Sequence, residues 1–282
     1  MLSDEQAEAF RSTILENYRL YGRSFPWRET SDPYAILVSE MMLQQTQTLR
    51  VLPKYEAWLK RFPDVQALAN APLPDVLAAW NGLGYNSRAK YLQNACREVC
   101  EKYNGIFPDT KDGLDSLPGV GPYTAGAVSA FAYNNPEVFI ETNIRSVFIF
   151  FFFNGSEEKI PDEQLLPLVE QTLDRRNPRE WYYALMDYGA ELKKRVKNPS
   201  RKSARYAKQS KFEGSLRQAR GAILRQLTET GSGTLSRIAE TEHIDLYRLE
   251  KAAEKLTAEK LVCEKNGVYR ISESTITPQA IE

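Results

Sequence analysis

The chain has 282 residues, 42% hydrophobic and 26% charged, with 37 basic and 37 acidic side chains and no net charge. Those values describe an ordinary globular protein and exclude a disordered or strongly polyionic one. The longest apolar run, Val147 to Phe153, is seven residues, too short for a membrane span, and the polar start Met1-Leu2-Ser3-Asp4-Glu5-Gln6 does not read as a signal peptide.

Helical periodicity carries most of the chain. Glu5 to Leu20 is amphipathic, and Pro33 opens a helix bearing Ile36, Leu37, Glu40, Met41, Leu43 and Gln44. Further helices are predicted over 52–61, 64–69, 74–80, 88–102 and 164–174, separated by Pro- and Gly-containing turns. Asp112 to Leu117 reads as the end of one helix and Tyr123 to Ala132 as the start of the next, with Leu117-Pro118-Gly119-Val120-Gly121 as a hairpin between them. The run Val147 to Phe153 fits a buried strand, but its helical neighbours favour a core helix. Toward the end, helices over 217–228, 235–242 and 246–259 precede a two-stranded hairpin that turns at Asn266-Gly267. Three helices and a hairpin make a winged-helix layout. Its third helix balances Arg248, Lys251 and Lys255 against Glu250, Glu254 and Glu259, so packing and DNA reading are equally open there.

Several stretches carry candidate chemistry. The glycines of Leu117 to Gly121 permit φ > 0 and close approach, and the helix beyond directs N–H groups outward, as a phosphate clamp would; a plain corner is the alternative. Glu40 lies among apolar neighbours, and burial would raise its pKa and suit it to general-acid work, against the plainer reading of an exposed helix Glu. Gln44 and Gln45, followed by Thr46, can bond base edges or wedge into a stack. Tyr85, in Gly82-Leu83-Gly84-Tyr85, can stack on a base or staple a helix start. Glu141 lies just beyond apolar Val138-Phe139-Ile140, and Thr142 is the expected cap of the helix after it. From Lys193 to Arg225 there are twelve Lys or Arg and one acid, Glu213, either a footprint on a polyanion or a solvated surface. Cys96, Cys100 and Cys263 form no metal-ligand set, and a reducing cytoplasmic setting is expected.

In this order, Ser39-Glu40-Met41-Met42-Leu43-Gln44-Gln45-Thr46-Gln47, Gly82-Leu83-Gly84-Tyr85, Leu117-Pro118-Gly119-Val120-Gly121 with Tyr123-Thr124-Ala125-Gly126, and Ala184-Leu185-Met186-Asp187-Tyr188-Gly189-Ala190 resemble the helix-hairpin-helix DNA glycosylases. The adenine-specific branch, acting on adenine opposite guanine or 8-oxoguanine, is the most similar, and the resemblance covers residues 20 to 195. It implies a base flipped into a pocket between helical lobes. Glu40 matches the catalytic acid, Glu141 the second carboxylate (normally Asp), and Asn143 a residue supporting both. Tyr123 matches the position where lyase-competent relatives carry Lys, so base removal without strand cleavage is implied. Gln45 and Tyr85 match residues that intrude into the stack, Trp27, Arg28 and Asp187 pocket-lining positions, and Leu117, Gly119, Val120 and Gly121 a phosphate-binding hairpin where the family often holds a monovalent cation, Na+ or K+.

The chain departs from the pattern in three places. No cysteine follows Gly189-Ala190, where most relatives ligate an iron–sulfur cluster, so no cluster is expected, and the basic block from Lys193 to Lys211, beginning with Lys193, Lys194 and Arg195, is expected to take over phosphate contact. Glu141 replaces Asp, and the winged-helix-like module stands where the adenine enzymes carry an 8-oxoguanine-recognition domain. The expectation is an all-α, two-lobed fold: a glycosylase domain over 1–211 (30–140 as the lobe with the hairpin, 1–29 plus 141–211 as the other), a module over 212–275 and a tail over 276–282. The partner expected is double-stranded DNA with a mismatch or lesion, bound by a monomer of bacterial type. Thymine or uracil opposite guanine, hypoxanthine, and a weakened lesion-binding protein are the alternatives to adenine removal.

Overall fold

A computed structural model describes residues 1–273, so the expected tail and residues 274 and 275 lie outside the described residues. Within these, fourteen α-helices and two 3-10 turns accompany a single two-stranded antiparallel sheet. The architecture is the all-α one predicted, with its small α+β end. The chain forms two compact units, residues 1–40, 107–116 and 120–208, and residues 41–106, 117–119 and 209 onward.

The first unit is built on long amphipathic helices. α1 (Asp4–Tyr21) starts at a capping box in which Ser3 and Gln6 satisfy each other's backbone N–H groups. It buries Ala7, Phe10 and Ile14. The Phe10 ring meets Phe148, Phe151, Phe152 and Trp181 at centroid distances of 5.0–5.9 Å. The phenylalanine run is therefore a core helix, α9 (Thr142–Phe152), packed against α11 (Pro178–Arg195). Gly189 makes that packing possible, because a Cβ there would lie 2.4 Å from the Asn143 carbonyl oxygen. α10 (Asp162–Thr172), α7 (Lys111–Asp115) and α8 (Pro122–Tyr133) complete this unit. α2 (Pro33–Leu43) is buried along nearly its whole length.

The second unit contains α3 (Thr48–Arg61), α4 (Val65–Asn70), α5 (Leu73–Trp80) and α6 (Ser87–Tyr103). α3 starts four residues before the predicted Leu52, and Pro53, its sixth residue, lies inside it and leaves the Leu49 carbonyl without its helical donor. Trp58 packs edge-on against Phe62 and Trp80. The predicted C-terminal layout is present as α12 (Leu216–Thr230), α13 (Leu235–Glu242), α14 (Leu246–Ala258), β1 (Val262–Lys265) and β2 (Val268–Ile271). Asn266 and Gly267, at φ 55° and 77°, make the turn, and Gly233 bridges to Tyr269. These elements belong to the same compact unit as residues 41–106, whereas the expected bounds set 212–275 apart. The reason is specific: α12 packs on α5, and Lys90 of α6 donates to the Glu259 and Lys260 carbonyls. Arg220 forks onto the Glu259 carboxylate at 2.6–2.7 Å.

In the hairpin, α7 ends before Leu117-Pro118-Gly119-Val120-Gly121 and α8 follows. Gly119 has φ +73°, and a Cβ there would strike the Tyr91 side chain at 2.4 Å. Gly121 has no atom within 4 Å of its would-be Cβ. The fold requires the first glycine and leaves room beside the second. Gly119→Ala is therefore expected to destabilise by about 1–3 kcal/mol, while Gly121→Ala leaves the melting temperature within a degree or two. Thermal melts of the two variants check this.

Candidate active site

Glu40 ends the first unit's share of α2 and is buried, 6% exposed. The Tyr123 hydroxyl, from the first turn of α8, donates to its Oε2 at 2.9 Å. Burial pushes the Glu40 carboxyl up to about 7; the Tyr123 bond and Arg28 pull against this, and the charge of Glu141 adds to it. Near neutrality this side chain can hold a proton and give it up, which is what a general acid must do. Burial, together with Glu40 and Glu141, holds the Tyr123 phenol well above its usual range, so it stays a donor.

Glu141 itself caps α9. Its Oε1 accepts from the Asn143 and Ile144 amides at 2.6 and 2.9 Å, so Thr142 is not the cap but the first helical residue. Ser, Thr, Asp and Asn are the usual caps. The additional methylene of Glu lets the carboxylate curl back over the helix start, where the dipole favours negative charge. The Asn143 Nδ2 reaches Glu141 Oε2 at 3.2 Å, and the Lys193 ammonium donates to Asn143 Oδ1 at 2.7 Å. Burial lowers the Lys193 pKa, and Glu141 opposes that. Lys193 is thus turned inward onto this pair, not outward with Lys194 and Arg195 toward a phosphate. Those two are exposed and pair with Glu191 on their own helix.

Arg28, Arg23 and Asp187 form a second cluster. Arg28 forks onto Asp187 at 2.8 and 2.9 Å, and Arg23 bonds it through backbone and side chain. Asp187, 5% exposed, thereby ties the segment before the Pro26–Arg28 turn to α11. Trp27 is buried and stacks on Phe25 at 4.9 Å. Arg28 also lies over the Tyr183 ring at 4.6 Å.

The second unit holds the other candidates. Gln45 and Tyr85 have φ of 54° and 47°, a left-handed conformation that costs a non-glycine residue on the order of 1–3 kcal/mol. Arg88 holds both strained turns. It is buried and donates to the carbonyls of Met41, Met42, Gln44, Leu83 and Gly84 at 2.5–3.4 Å. Burial lowers its pKa to about 10. No role was expected for Arg88; a cation in the first turn of a helix, where the dipole disfavours it, was the available signal. Thr46 bonds the Leu83 carbonyl, and Gln44 reaches the Met41 sulfur at 3.6 Å. In the hairpin Leu117 and Val120 have buried side chains.

The residues present do not fit the iron–sulfur cluster that the family resemblance implies. Cys96 and Cys100 lie on α6 and Cys263 on β1. Hydrogen bonds hold the segment after α11 instead. Lys202 donates to the Asn154 and Ser156 carbonyls, Ile160 and Lys202 pair through their backbones at 2.8 Å, and Ser200 and Ser203 are buried.

The site can be compared with known proteins. The model of the HhH-GPD superfamily base excision DNA repair proteins matches residues 38–171. The adenine DNA glycosylase of Buchnera aphidicola (subspecies Baizongia pistaciae) is 36% identical over 182 residues, 64% of this chain and 52% of that protein. That of Mycobacterium tuberculosis is 38% identical over 187 residues, 64% of this chain and 60% of that one. The chain thus spans between about half and three fifths of these relatives' length. Among solved structures, a thermostable thymine-DNA glycosylase superposes with a TM-score of 0.61 at 30% identity, over 66% of this chain and 87% of its own. With the matched segment running through Glu40, the hairpin, Tyr123 and Glu141, the chain belongs to the HhH-GPD superfamily of base excision DNA repair proteins.

Proposed function

We propose that the chain is a monofunctional DNA glycosylase that takes a mispaired base out of the duplex and hydrolyses its N-glycosidic bond, with adenine opposite guanine or 8-oxoguanine as the target. The observation that carries this is the buried Glu40 carboxyl, raised to about 7 and bonded to Tyr123. In the proposed reaction Glu40 gives its proton to a ring nitrogen of the extruded base. The bond from that base to the sugar then breaks, and its electron pair leaves with the base. Glu141, anchored on the start of α9, faces the positive charge that develops on the sugar. Water adds to the sugar carbon and loses a proton, leaving an abasic site.

The names of the two similar adenine enzymes support adenine as the target. The thymine-DNA glycosylase likeness supports a second reading, thymine opposite guanine. Duplex DNA is the partner, bound by a monomer in the cytoplasm. Among the described residues no helix is long and apolar enough to cross a membrane. The family resemblance is what supports a monovalent cation, Na+ or K+, at the hairpin.

The test is a panel of duplexes with single A:8-oxoG, A:G, T:G, U:G or hypoxanthine lesions, analysed before and after alkali. Strand breaks only after alkali, on the adenine pairs, are the expected result. Breaks on T:G alone would move the target to thymine. Breaks without alkali would overturn the monofunctional assignment and point to Lys193, the amine that the described site holds. Tight binding with no base lost would make the chain a lesion-binding protein. Because Lys193 holds Asn143, which in turn bonds Glu141, Lys193→Met is expected to slow single-turnover base removal on the order of 10- to 100-fold, with DNA affinity unchanged. Single-turnover kinetics and anisotropy titration separate the two effects.

A further inference from the structure

Arg88 is a buried cation, 8% exposed, whose hydrogen-bond partners among the described residues are main-chain carbonyls and the Thr46 hydroxyl, with no carboxylate. A charge taken out of water without a counter-ion is costly, and an apolar side chain would fill the same space without that cost. What the guanidinium supplies is reach in two directions. Its Nη1 donates to the Met41 and Met42 carbonyls at the end of α2 and to the Gln44 carbonyl just beyond, at 2.5, 3.2 and 2.7 Å. Its Nη2 donates to the Leu83 and Gly84 carbonyls at 3.4 and 3.0 Å and to the Thr46 hydroxyl at 3.4 Å. One rigid fork thereby ties the turn after α2 to the turn before α6.

Each of these turns carries a residue with a left-handed backbone, the exposed Gln45 and the half-buried Tyr85. Such backbones persist only where the surroundings over-determine them. The Trp80 ring centre lies 5.2 Å from the Arg88 guanidinium, and the Trp80 Nε1 donates to the Gly84 carbonyl at 3.1 Å. Thr46 links the turns directly, its hydroxyl donating to the Leu83 carbonyl at 3.4 Å. Gln209 and Arg217 donate to the Tyr85 hydroxyl at 2.8 and 2.9 Å, so the ring is held as well as its backbone. An amide and an aromatic ring fixed on joined turns are suited to enter a base stack and fill the space of a base that has left it.

We propose that Arg88 is a positioning residue for base extrusion, locking the two turns into one wedge so that Gln45 and Tyr85 enter the duplex together. Its use in extrusion rests on the function proposed above; the link between the turns does not. Arg88 is buried and acts through the turns it holds. Its contribution therefore precedes the breaking of the glycosidic bond, and a base already out of the stack does not need it.

The experiment uses the full chain and duplexes with adenine opposite guanine, in which 2-aminopurine beside the adenine reports lost stacking by a rise in fluorescence. Fluorescence is measured with Glu40→Gln in every protein so that the adenine persists, and rates are measured with Glu40 in place. Arg88→Lys keeps the charge, but a single ammonium cannot span both turns. This variant is expected to bind the duplex nearly as tightly as its parent, to give a smaller fluorescence rise, and to remove the base about 10- to 100-fold more slowly. With the adenine in an unpaired bubble, where no stack has to be opened, its rate should match the parent's. Thr46→Val, which removes one link between the turns and leaves the buried charge alone, should move both readouts in the same direction to a smaller degree. It decides the question if the lysine variant does not fold. A fluorescence rise and duplex rate unchanged in the folded variants, or a loss as large in the bubble as in the duplex, would overturn the proposal. If the unmodified chain removes no base from any duplex while the rise still depends on Arg88, the proposed function fails and the assignment of Arg88 stands.

Discussion

Glu40→Gln is expected to slow base removal by about 10²- to 10⁴-fold, the range that loss of a positioned general acid produces, with DNA affinity nearly intact. The amide keeps the volume of the side chain and can still accept from Tyr123, but it has no proton to give. In the unmodified protein the single-turnover rate should be flat below pH 7 and fall about tenfold per unit above it, as the carboxyl, raised to about 7, ionises. The same shift has a consequence for stability. The unfolded carboxyl ionises near its ordinary 4.5 and the folded one near 7, so the folded state holds the extra proton between these values. Stability is therefore full below about pH 4.5 and falls as pH rises, by about 3 kcal/mol once pH exceeds 7. Glu40→Gln removes this loss, so the variant should melt above the unmodified protein at pH 8 and with it at pH 5. A variant that kept the rate, or a rate independent of pH between 6 and 9, would remove Glu40 from the acid's role.

How far the sequence foretold this site depended on the kind of interaction. Elements with strong local signals were legible: the capped, amphipathic α1, the Asn-Gly turn between β1 and β2, and the glycines around Val120 all lie where pattern and turn chemistry put them. For Glu40 the apolar neighbours along α2 left burial and exposure both open, and the fold decides for burial. What was not legible depended on long side chains reaching across the fold. Lys193 opens a basic run whose next members, Lys194 and Arg195, face solvent, whereas the approach of α11 to Asn143 at Gly189 turns it inward. Arg217 lies 132 residues from the Tyr85 it bonds. Of the twelve cations between Lys193 and Arg225, several have internal partners: Arg205 pairs with Asp162, Arg220 with Glu259 and Arg225 with Glu242. Such a block read as one electrostatic surface overstates the charge left for DNA.

Asp187 illustrates the same gap, and replacing it has the largest expected effect on stability. Matched by resemblance to a pocket-lining position, it is the anchor for two arginines, one of them, Arg28, with a side chain only 8% exposed. Asp187→Ala would leave Arg28 buried beside no carboxylate, and breaking one side of a buried ion pair costs about 3–5 kcal/mol. For a unit of this size that lowers the melting temperature by about 6–20 °C. Burial alone would raise the Asp187 pKa, but the hydrogen bonds and charges of Arg28 and Arg23 overcome it and hold the carboxyl below its ordinary 3.8. A carboxylate so depressed stabilises the fold at all pH values above its unfolded pKa, and the contribution disappears as pH falls through the folded value. The gap in melting temperature between the unmodified protein and Asp187→Ala should accordingly be full at pH 7 and narrow only in acid below pH 4. Asp187→Asn, which keeps the volume and one acceptor, should lie between them. Chemistry at low temperature should survive in both variants, because Glu40, Tyr123 and Glu141 are untouched; a variant that melts normally but is inactive would instead place Asp187 at the substrate.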